Sequence, residues 1–172
     1  MLIINTNSKN VLIDTLYSSG LLNIEFVDLN KDNNSDILVS YIGNNPTNDL
    51  YLFDPTNNIF RNLEGFIKYP DAVQLKAYPK FYYSYHRAGC ADLDWVSDLF
   101  KIENFKTIQI GRIYGMSCED NPQVIEIYKI IDNKEGREKL VEKLPYFKHI
   151  PQFEDKWKFI EKYWEKNFEK FK

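Results

Sequence analysis

The stretch DLNKDNNSD, residues 28–36, carries oxygen-bearing side chains at a spacing that suits a hard metal ion. Polar residues recur at every second position from its first Asp, and in an extended chain such residues point to the same side. Calcium takes several oxygen ligands, including carboxylates, side-chain amides and backbone carbonyls. The stretch therefore predicts a calcium loop. Its five ligands are Asp28, Asn30, Asp32, the backbone carbonyl of Asn34, and Asp36.

Two other interpretations of this stretch are an EF-hand and a turn without a metal. An EF-hand would place a bidentate Glu at the twelfth loop position, but that position is Val39, inside an apparent strand. A connection between two strands therefore fits better than a helix–loop–helix calcium sensor. An Asn- and Asp-rich hairpin turn without a metal stays open as the alternative, because Asx turns use the same residue types.

A second concentration of reactive residue types lies in YHRAGCADLDW, residues 85–95. Cys and His can form a nucleophilic pair, so a hydrolase using His86 and Cys90 is one alternative. No orienting third group or oxyanion site is recognisable around them, so no catalytic residue is predicted and the protein is not expected to be an enzyme. The segment instead predicts a partner-binding rim, since Tyr, Trp and Arg are frequent interface residues. The rim consists of His86, Arg87, Asp92, Asp94 and Trp95.

The two cysteines of the chain, Cys90 and Cys118, both lie in polar turn sequences rather than in apolar runs. This placement favours a disulfide in an oxidising compartment, whereas in the cytoplasm they would be two buried thiols. The sequence alone leaves both states open. Zinc is a weaker candidate, because the segment that holds His86 and Cys90 is not helical and His149 lies far away in the chain.

Short β-prone runs separated by polar turns fill the first three quarters of the chain. They include IEFVDLN, DILVSYIG, LYLFDP, KFYYSYHR, WVSDLFKI, FKTIQIGRIYG and VIEIYKII. Runs of this length and composition are typical of antiparallel hairpins. They predict a single α+β domain over residues 1–172, mainly antiparallel, with a propeller-like or sandwich meander in residues 1–131.

The hydrophobic period changes after residue 131. NKEGREKLVEKL predicts a short helix that ends before Pro145, and the segment from residue 152 predicts a longer amphipathic helix. Residues 132–172 are therefore expected to form a helical C-terminal extension that packs on the sheet. The apolar stripe consists of Phe153, Trp157, Ile160, Trp164, Phe168 and Phe171.

Charge and hydropathy exclude several classes of protein. The 172 residues carry a net charge of −3, which gives no strong field toward nucleic acid or an anionic membrane. No run approaches the roughly 18 apolar residues of a membrane span. The opening MLIINTNSKN does not look like a signal peptide, so a cytoplasmic location is expected unless a signal was removed and Met1 is an expression start. In that case the location is the periplasm or cell envelope.

Three segments together resemble a family of small bacterial cell-envelope proteins with an integrin-like (FG-GAP) calcium loop and a propeller-like β domain. The segments are FVDLNKDNNSDILVSYIG, DLYLFDPTNNIFRNLEGF and WVSDLFKIENFKTIQIG, and the resemblance covers roughly residues 22 to 130. The chain departs from the family at Asn33, where the loop usually has Gly, although Asn tolerates a left-handed conformation. Some members are immunity proteins that inhibit lysozyme-like cell-wall hydrolases.

The resemblance implies a non-enzymatic, calcium-binding module for protein–protein interaction in the bacterial envelope. Its most concrete form is an immunity protein whose partner is a lysozyme-like toxin. A structural or adhesive surface module stiffened by calcium is the alternative, with the Cys/His hydrolase as a further one. No nucleic-acid partner is expected.

Overall fold

A computed structural model describes residues 20–120, 122–131 and 137–172 with their side chains, and the backbone of residues 2–6 and 9–14. Contacts between Cα atoms divide the chain into two compact units. Unit 1 comprises residues 1–70 with 103–107, and unit 2 comprises residues 71–102 with 108–172. The expectation of one domain over residues 1–172 stays a prediction.

Unit 1 holds a two-stranded and a four-stranded antiparallel sheet. The first pairs β1 (Leu2–Thr6) with β2 (Lys9–Asp14), and the second is a meander of β3 (Leu21–Val27), β4 (Asp36–Tyr41), β5 (Thr47–Asp54) and β6 (Ile59–Asn62). Alternation along β4 buries Ile37, Val39 and Tyr41, which pack with Tyr51 of β5 into a small core. A 3₁₀ helix, Phe66–Lys68, follows the meander.

Unit 2 is built on a seven-stranded, mainly antiparallel sheet. In spatial order β13, β12, β11, β10, β8 and β7 lie side by side, and β9 also pairs with β10. The strands are β7 (Val73–Gln74), β8 (Phe81–Tyr83), β9 (His86–Gly89), β10 (Asp94–Glu103), β11 (Lys106–Met116), β12 (Val124–Ile130) and β13 (Glu138–Pro145). A 3₁₀ turn, Cys90–Asp92, separates β9 from β10.

The C-terminal part of the chain covers one face of this sheet with helix. α1 (Tyr146–His149) is a single turn, and α2 (Asp155–Asn167) continues into a 3₁₀ turn, Phe168–Phe171. The core contains Trp95, Leu99, Ile113, Ile125 and Ile127 from the strands together with Ile160, Trp164, Phe168 and Phe171 from the helical end. The predicted class, mainly antiparallel α+β with a C-terminal helix packed on the sheet, is confirmed.

The predicted helix in NKEGREKLVEKL is wrong, and so is a wholly helical extension over residues 132–172. Glu138–Pro145 is a strand that pairs with β12 along its whole length. Glu142 accepts a hydrogen bond from Tyr163, whereas Lys143 contacts Glu126. Helix propensity is a weak preference, and the backbone hydrogen bonds that β12 offers outweigh it.

The predicted apolar stripe on the tail helix is correct for four of its six residues. Ile160, Trp164 and the two following phenylalanines are buried, whereas Phe153 and Trp157 are 42% and 45% exposed. The helix begins at Asp155, so Phe153 lies outside it. The sheets are open, and the propeller expected from the resemblance is not shown by the described strands.

Candidate functional site

The predicted calcium loop joins β3 to β4 and is tied by hydrogen bonds to its own acidic side chains. Asp28 accepts two of them, from the backbone N–H of Asp32 to Oδ1 (3.0 Å) and from that of Asn33 to Oδ2 (3.1 Å). Asp32 Oδ1 accepts from the backbone N–H of Asn34 (2.8 Å), and Asn30 Nδ2 donates to Asp32 Oδ2 (2.8 Å). The alternate polar residues therefore wind into one compact turn.

Two residues of this loop have left-handed backbone conformations. Lys31 has φ 58° and Asn33 has φ 69°. Asn33 is the position at which the resembling family usually has Gly, and Asn is among the few residues that adopt this conformation at small cost. The turn is thus compatible with the substitution, as the sequence predicted.

Asp36 is the first residue of β4 and is fully buried. Its Oδ1 accepts a hydrogen bond from the Phe53 backbone N–H (3.0 Å), whereas Oδ2 is buried without a hydrogen-bond partner of normal geometry among the described residues. Burial raises the pKa of Asp36 to about 6, and the charges of Asp32 and Asp28 add to this rise. The backbone N–H groups of Phe53 and Leu29 act in the opposite direction and lower the pKa. A buried carboxylate oxygen without a partner is costly, and a nearby cation would remove that cost.

The donors of the loop fit calcium in kind, but they are not gathered around one point. Carboxylates and carbonyls are the hard oxygen ligands that calcium takes, and Asp36 Oδ2 is a buried oxygen that lacks a partner. Among residues 20–120, 122–131 and 137–172, no group of three or more His, Cys, Asp or Glu could hold a metal ion. The predicted ligands share one connection, and their carboxylates would have to turn toward an ion.

Cys90 and Cys118 form a disulfide, which decides the question that the sequence left open. The chain has no other cysteine and no free thiol. A thiolate is the nucleophile in cysteine catalysis and the ligand in a zinc–cysteine site. The bridge therefore removes the nucleophile from the Cys/His hydrolase alternative and the sulfur ligand from the zinc alternative.

Three of the predicted rim residues stabilise the connection between β9 and β10, Cys90–Asp92, which the disulfide ties to Cys118. This connection is called the disulfide loop below. Arg87 Nε lies 3.0 Å from Asp92 Oδ1, with 56% of the Arg87 side chain exposed. Asp94 Oδ1 accepts hydrogen bonds from the backbone N–H groups of Ser117 (2.9 Å) and Cys118 (3.1 Å). Arg87 and Asp92 thus lie together at the tip of the loop, while the carboxylate of Asp94 holds its base.

The other two predicted rim residues are placed differently. Trp95 is fully buried, and its Nε1 donates to the hydroxyl of Tyr146 (3.1 Å), so its assignment to the rim is wrong. Successive residues of a strand face opposite sides, which turns Trp95 into the core while Asp94 faces away from it. His86 is half-buried, its Nδ1 lacks a hydrogen-bond partner among the described residues, and burial lowers its pKa.

A buried charged cluster on the sheet of unit 2 was not singled out in the sequence. Asp98, with a side chain only 2% exposed, receives Arg112 Nε at 2.6 Å and Gln109 Nε2 at 2.6 Å. Arg112 Nη1 lies 3.1 Å from Glu138 Oε1, so the guanidinium bridges two carboxylates. The sequence contains one signal of this cluster: Asp98 and Arg112 are charged residues inside two otherwise apolar strands. Because buried charges require partners, their presence indicates that the two side chains pair. The network is internally satisfied and is structural.

No helix in the described parts of the chain is both long enough and apolar enough to cross a membrane.

Comparison with known proteins finds a similar fold but no family. No protein-family model matches the chain, and no curated protein sequence matches it. A solved structure of a Xanthomonas type IV secretion system related protein has a similar fold, with a TM-score of 0.52 and 21% identity. The match covers 69% of this chain and 57% of that protein, so the chain spans little more than half of its length. At this identity the similarity shows a shared fold and nothing further.

Proposed function

We propose that this protein is a non-enzymatic module for protein–protein interaction in the bacterial envelope, and that it binds calcium at residues 28–36. The observation that carries the proposal is Asp36, whose Oδ2 is buried without a hydrogen-bond partner of normal geometry among the described residues. It follows a loop in which Asp28 and Asp32 are close enough to raise its pKa. Three neighbouring carboxylates repel one another when no cation is present. The loop therefore has an excess of negative charge that a divalent cation would neutralise.

The bound ion would cross-link the loop to the start of β4 and supply no chemistry beyond this. Asp28 and Asp32 would turn toward the ion and give up part of their hydrogen bonding, since both oxygens of Asp28 accept backbone N–H groups in the structure. Asp36 would contribute the buried oxygen from the strand. The result is a stiffened β3–β4 connection.

Two observations support an envelope location. The Cys90–Cys118 disulfide is typical of proteins that work in an oxidising compartment such as the periplasm. The protein with a similar fold is described as related to a type IV secretion system. The periplasm or cell envelope is therefore the location that we propose.

The concrete form of the proposal is an immunity protein that inhibits a lysozyme-like cell-wall hydrolase. It rests on the resemblance of the three sequence segments and on the disulfide loop as the partner surface. Glycoside hydrolases of this kind work with a pair of carboxylates. The side chain of Arg87 is 56% exposed, and its guanidinium, paired with Asp92 in the structure, would exchange this partner for a carboxylate of the hydrolase.

Thermal unfolding with calcium or with chelator tests the metal site. An ion that binds only the folded protein raises its melting temperature. At a free calcium concentration one hundred times the dissociation constant, the free energy of unfolding rises by about 2.7 kcal/mol. We expect this rise in the wild type and its loss in Asp28→Asn and Asp32→Asn. Asp71→Asn, an exposed acid outside the loop, should keep it. Identical melting of the wild type with calcium and with chelator would contradict calcium binding.

Clearing of cell-wall suspensions by lysozyme-like hydrolases tests the inhibitory role. Stoichiometric amounts of the protein should slow clearing, Arg87→Glu should lose this effect, and Lys80→Glu should keep it. A calcium-dependent melting temperature without inhibition of any lysozyme-like hydrolase would favour the adhesive alternative. The absence of both effects would overturn the proposed function.

A further inference from the structure

A groove of about 860 Å³ lies along one flank of α2 in unit 2, next to β13. Leu144 of β13 and Phe159 of α2 supply apolar wall, and Tyr163 adds a phenol ring. None of these residues belongs to the calcium loop or the disulfide loop. The groove is thus a feature that the proposed function leaves unused.

Four exposed lysines line this groove at a spacing of four residues. They form a row along α2 and the 3₁₀ turn after it, and are Lys158, Lys162, Lys166 and Lys170. Residues four apart share a helix face and lie about 6 Å apart along the axis, so the row extends over about 18 Å. Like charges at this spacing destabilise a helix. A cation in the last turn is favourable, which accounts for Lys166 and Lys170 but not for Lys158 and Lys162.

The acidic residues beside the lysine row are engaged elsewhere. Glu161 contacts the ammonium of Lys76, and Glu165 accepts a hydrogen bond from the Lys76 backbone N–H (2.6 Å). Glu169 pairs with Lys172 (2.8 Å). In the described part of the chain, no ion pair joins any of the four lysines to a carboxylate. The four lysines are therefore without a direct ion-pair partner in the described part of the chain, although glutamates alternate with them along the helix.

The two acids inside the groove are engaged as well. Glu142 Oε2 accepts the hydroxyl hydrogen of Tyr163 (2.8 Å), and Asp155 Oδ2 accepts the backbone N–H of Gln152 (3.2 Å). The lining thus holds four lysines against two engaged carboxylates, on a chain whose net charge is −3. Positive charge is concentrated here against the overall balance, which indicates an anionic ligand.

We propose that the groove binds an extended acidic polypeptide segment. Its carboxylates, on every second residue, would meet the lysine row, and the apolar residues between them would face Leu144 of β13. Every second residue of an extended chain recurs at about 6.6 Å, close to the 6 Å or so between lysines four apart on a helix. Successive carboxylates can therefore stay in register with successive lysines.

The shape and charge of the groove favour polypeptide over other anions. A lipid surface needs a flat or protruding contact, whereas this site is concave and has an apolar wall. A long nucleic acid would meet a chain that is acidic overall, which weakens its attraction beyond the groove. An acidic segment with alternate apolar residues can contact the lysine row of α2 on one side and Leu144 of β13 on the other.

Fluorescence anisotropy with two labelled synthetic peptides tests this site. One peptide has Glu at every second position with Leu, Val or Thr between, and the other has the same composition with its Glu residues adjacent. The alternating peptide should bind more tightly at low salt, and its affinity should fall about tenfold in Lys162→Glu and in Lys166→Glu. Lys80→Glu, an exposed lysine outside the groove with the same charge change, should bind like the wild type.

Circular dichroism melting separates loss of binding from loss of fold. Lys162→Glu relieves repulsion between lysines four apart, so its helix should be at least as heat-stable as that of the wild type. Lys166→Glu also places an acid in the last turn of α2, so it should melt close to or slightly below the wild type. Equal binding of the two peptides, equal loss in Lys80→Glu, or no binding would overturn the proposal. Tighter binding of phosphatidylglycerol vesicles or of a single-stranded oligonucleotide would overturn it too. None of these outcomes depends on calcium, so the proposed function is judged separately.

Discussion

The indole ring of Trp95 fills the space that a side chain at Gly115 would need. A Cβ atom at Gly115 would lie 2.0 Å from Cε2 of the indole, closer than any real contact. The ring is fully buried, and its Nε1 donates to Tyr146. The close approach of the ring to the backbone of β11 requires glycine, and it locks the two strands into one packing arrangement.

Gly115→Ala should therefore lower the free energy of unfolding, by about 1–3 kcal/mol as overpacking of a core does. Urea denaturation followed by tryptophan fluorescence measures the change. Gly111→Ala is the matched comparison, because its Cβ would lie 2.8 Å from the ring of Phe171 and 3.1 Å from that of Trp164, a milder overlap than the 2.0 Å at Gly115. We expect a smaller loss there. Equal stability of Gly115→Ala and wild type would contradict the position of the indole.

The disulfide should contribute measurably to stability. It closes a loop with a sequence separation of 28 residues. Loop-closure entropy predicts that Cys90→Ser/Cys118→Ser loses about 3–4 kcal/mol relative to the oxidised wild type. Denaturation with and without dithiothreitol measures this. Reductant should destabilise the wild type and leave the double variant unchanged, and the same response in both proteins would refute the bridge.

The charged cluster on the sheet of unit 2 should be sensitive to the loss of one member. Arg112→Met leaves the carboxylate of Asp98 buried without its cation, which should cost about 3–5 kcal/mol. Lys143→Met breaks a pair with Glu126 in which the lysine is 50% exposed, and should cost no more than about 1 kcal/mol. Chemical denaturation of both variants gives the comparison. Similar losses of unfolding free energy in the two variants would contradict the expectation that burial of Asp98 makes the loss of its cation costly.

Asp36 should make stability fall as pH rises. Burial raises its pKa from 3.8 to about 6, so the folded protein retains a proton that the unfolded protein has lost between these values. Stability without calcium therefore declines through this window, by about 3 kcal/mol relative to Asp36→Asn. Urea denaturation across the pH range, with chelator present, measures the difference. Parallel pH profiles for the two proteins would contradict the shift.

Calcium should reverse this dependence if the loop binds it. A cation beside Asp36 favours the ionised carboxylate and lowers its pKa. The rise in melting temperature on adding calcium should then be larger at neutral pH than at mildly acid pH, and Asp36→Asn should show a reduced rise at both. An equal rise at both pH values in the wild type would place the ion away from Asp36.

Much of the fold can be predicted from local patterns, because strand and amphipathic helix have distinct hydrophobic periods. The alternation in DILVSYIG predicts β4, and the stripe that contains Ile160 and Trp164 predicts the buried face of α2. Local patterns fail to predict the structure where contacts with residues far away in the sequence determine it. The register between β9 and β10 shifts at Trp95, so spacing alone could not assign this residue to the core.

By itself, the sequence determined a β-rich chain, a loop with oxygen donors at alternate positions, and an amphipathic C-terminal helix, since each depends on residues close together in the chain. Tertiary structure alone decided that Glu138–Pro145 is a strand, that Cys90 bonds to Cys118, and that Asp98 and Arg112 meet. It also turned the lysines of α2 toward a groove beside β13. The physical reason is that backbone pairing, disulfide geometry and burial depend on residues far apart in sequence, whose positions no local period encodes.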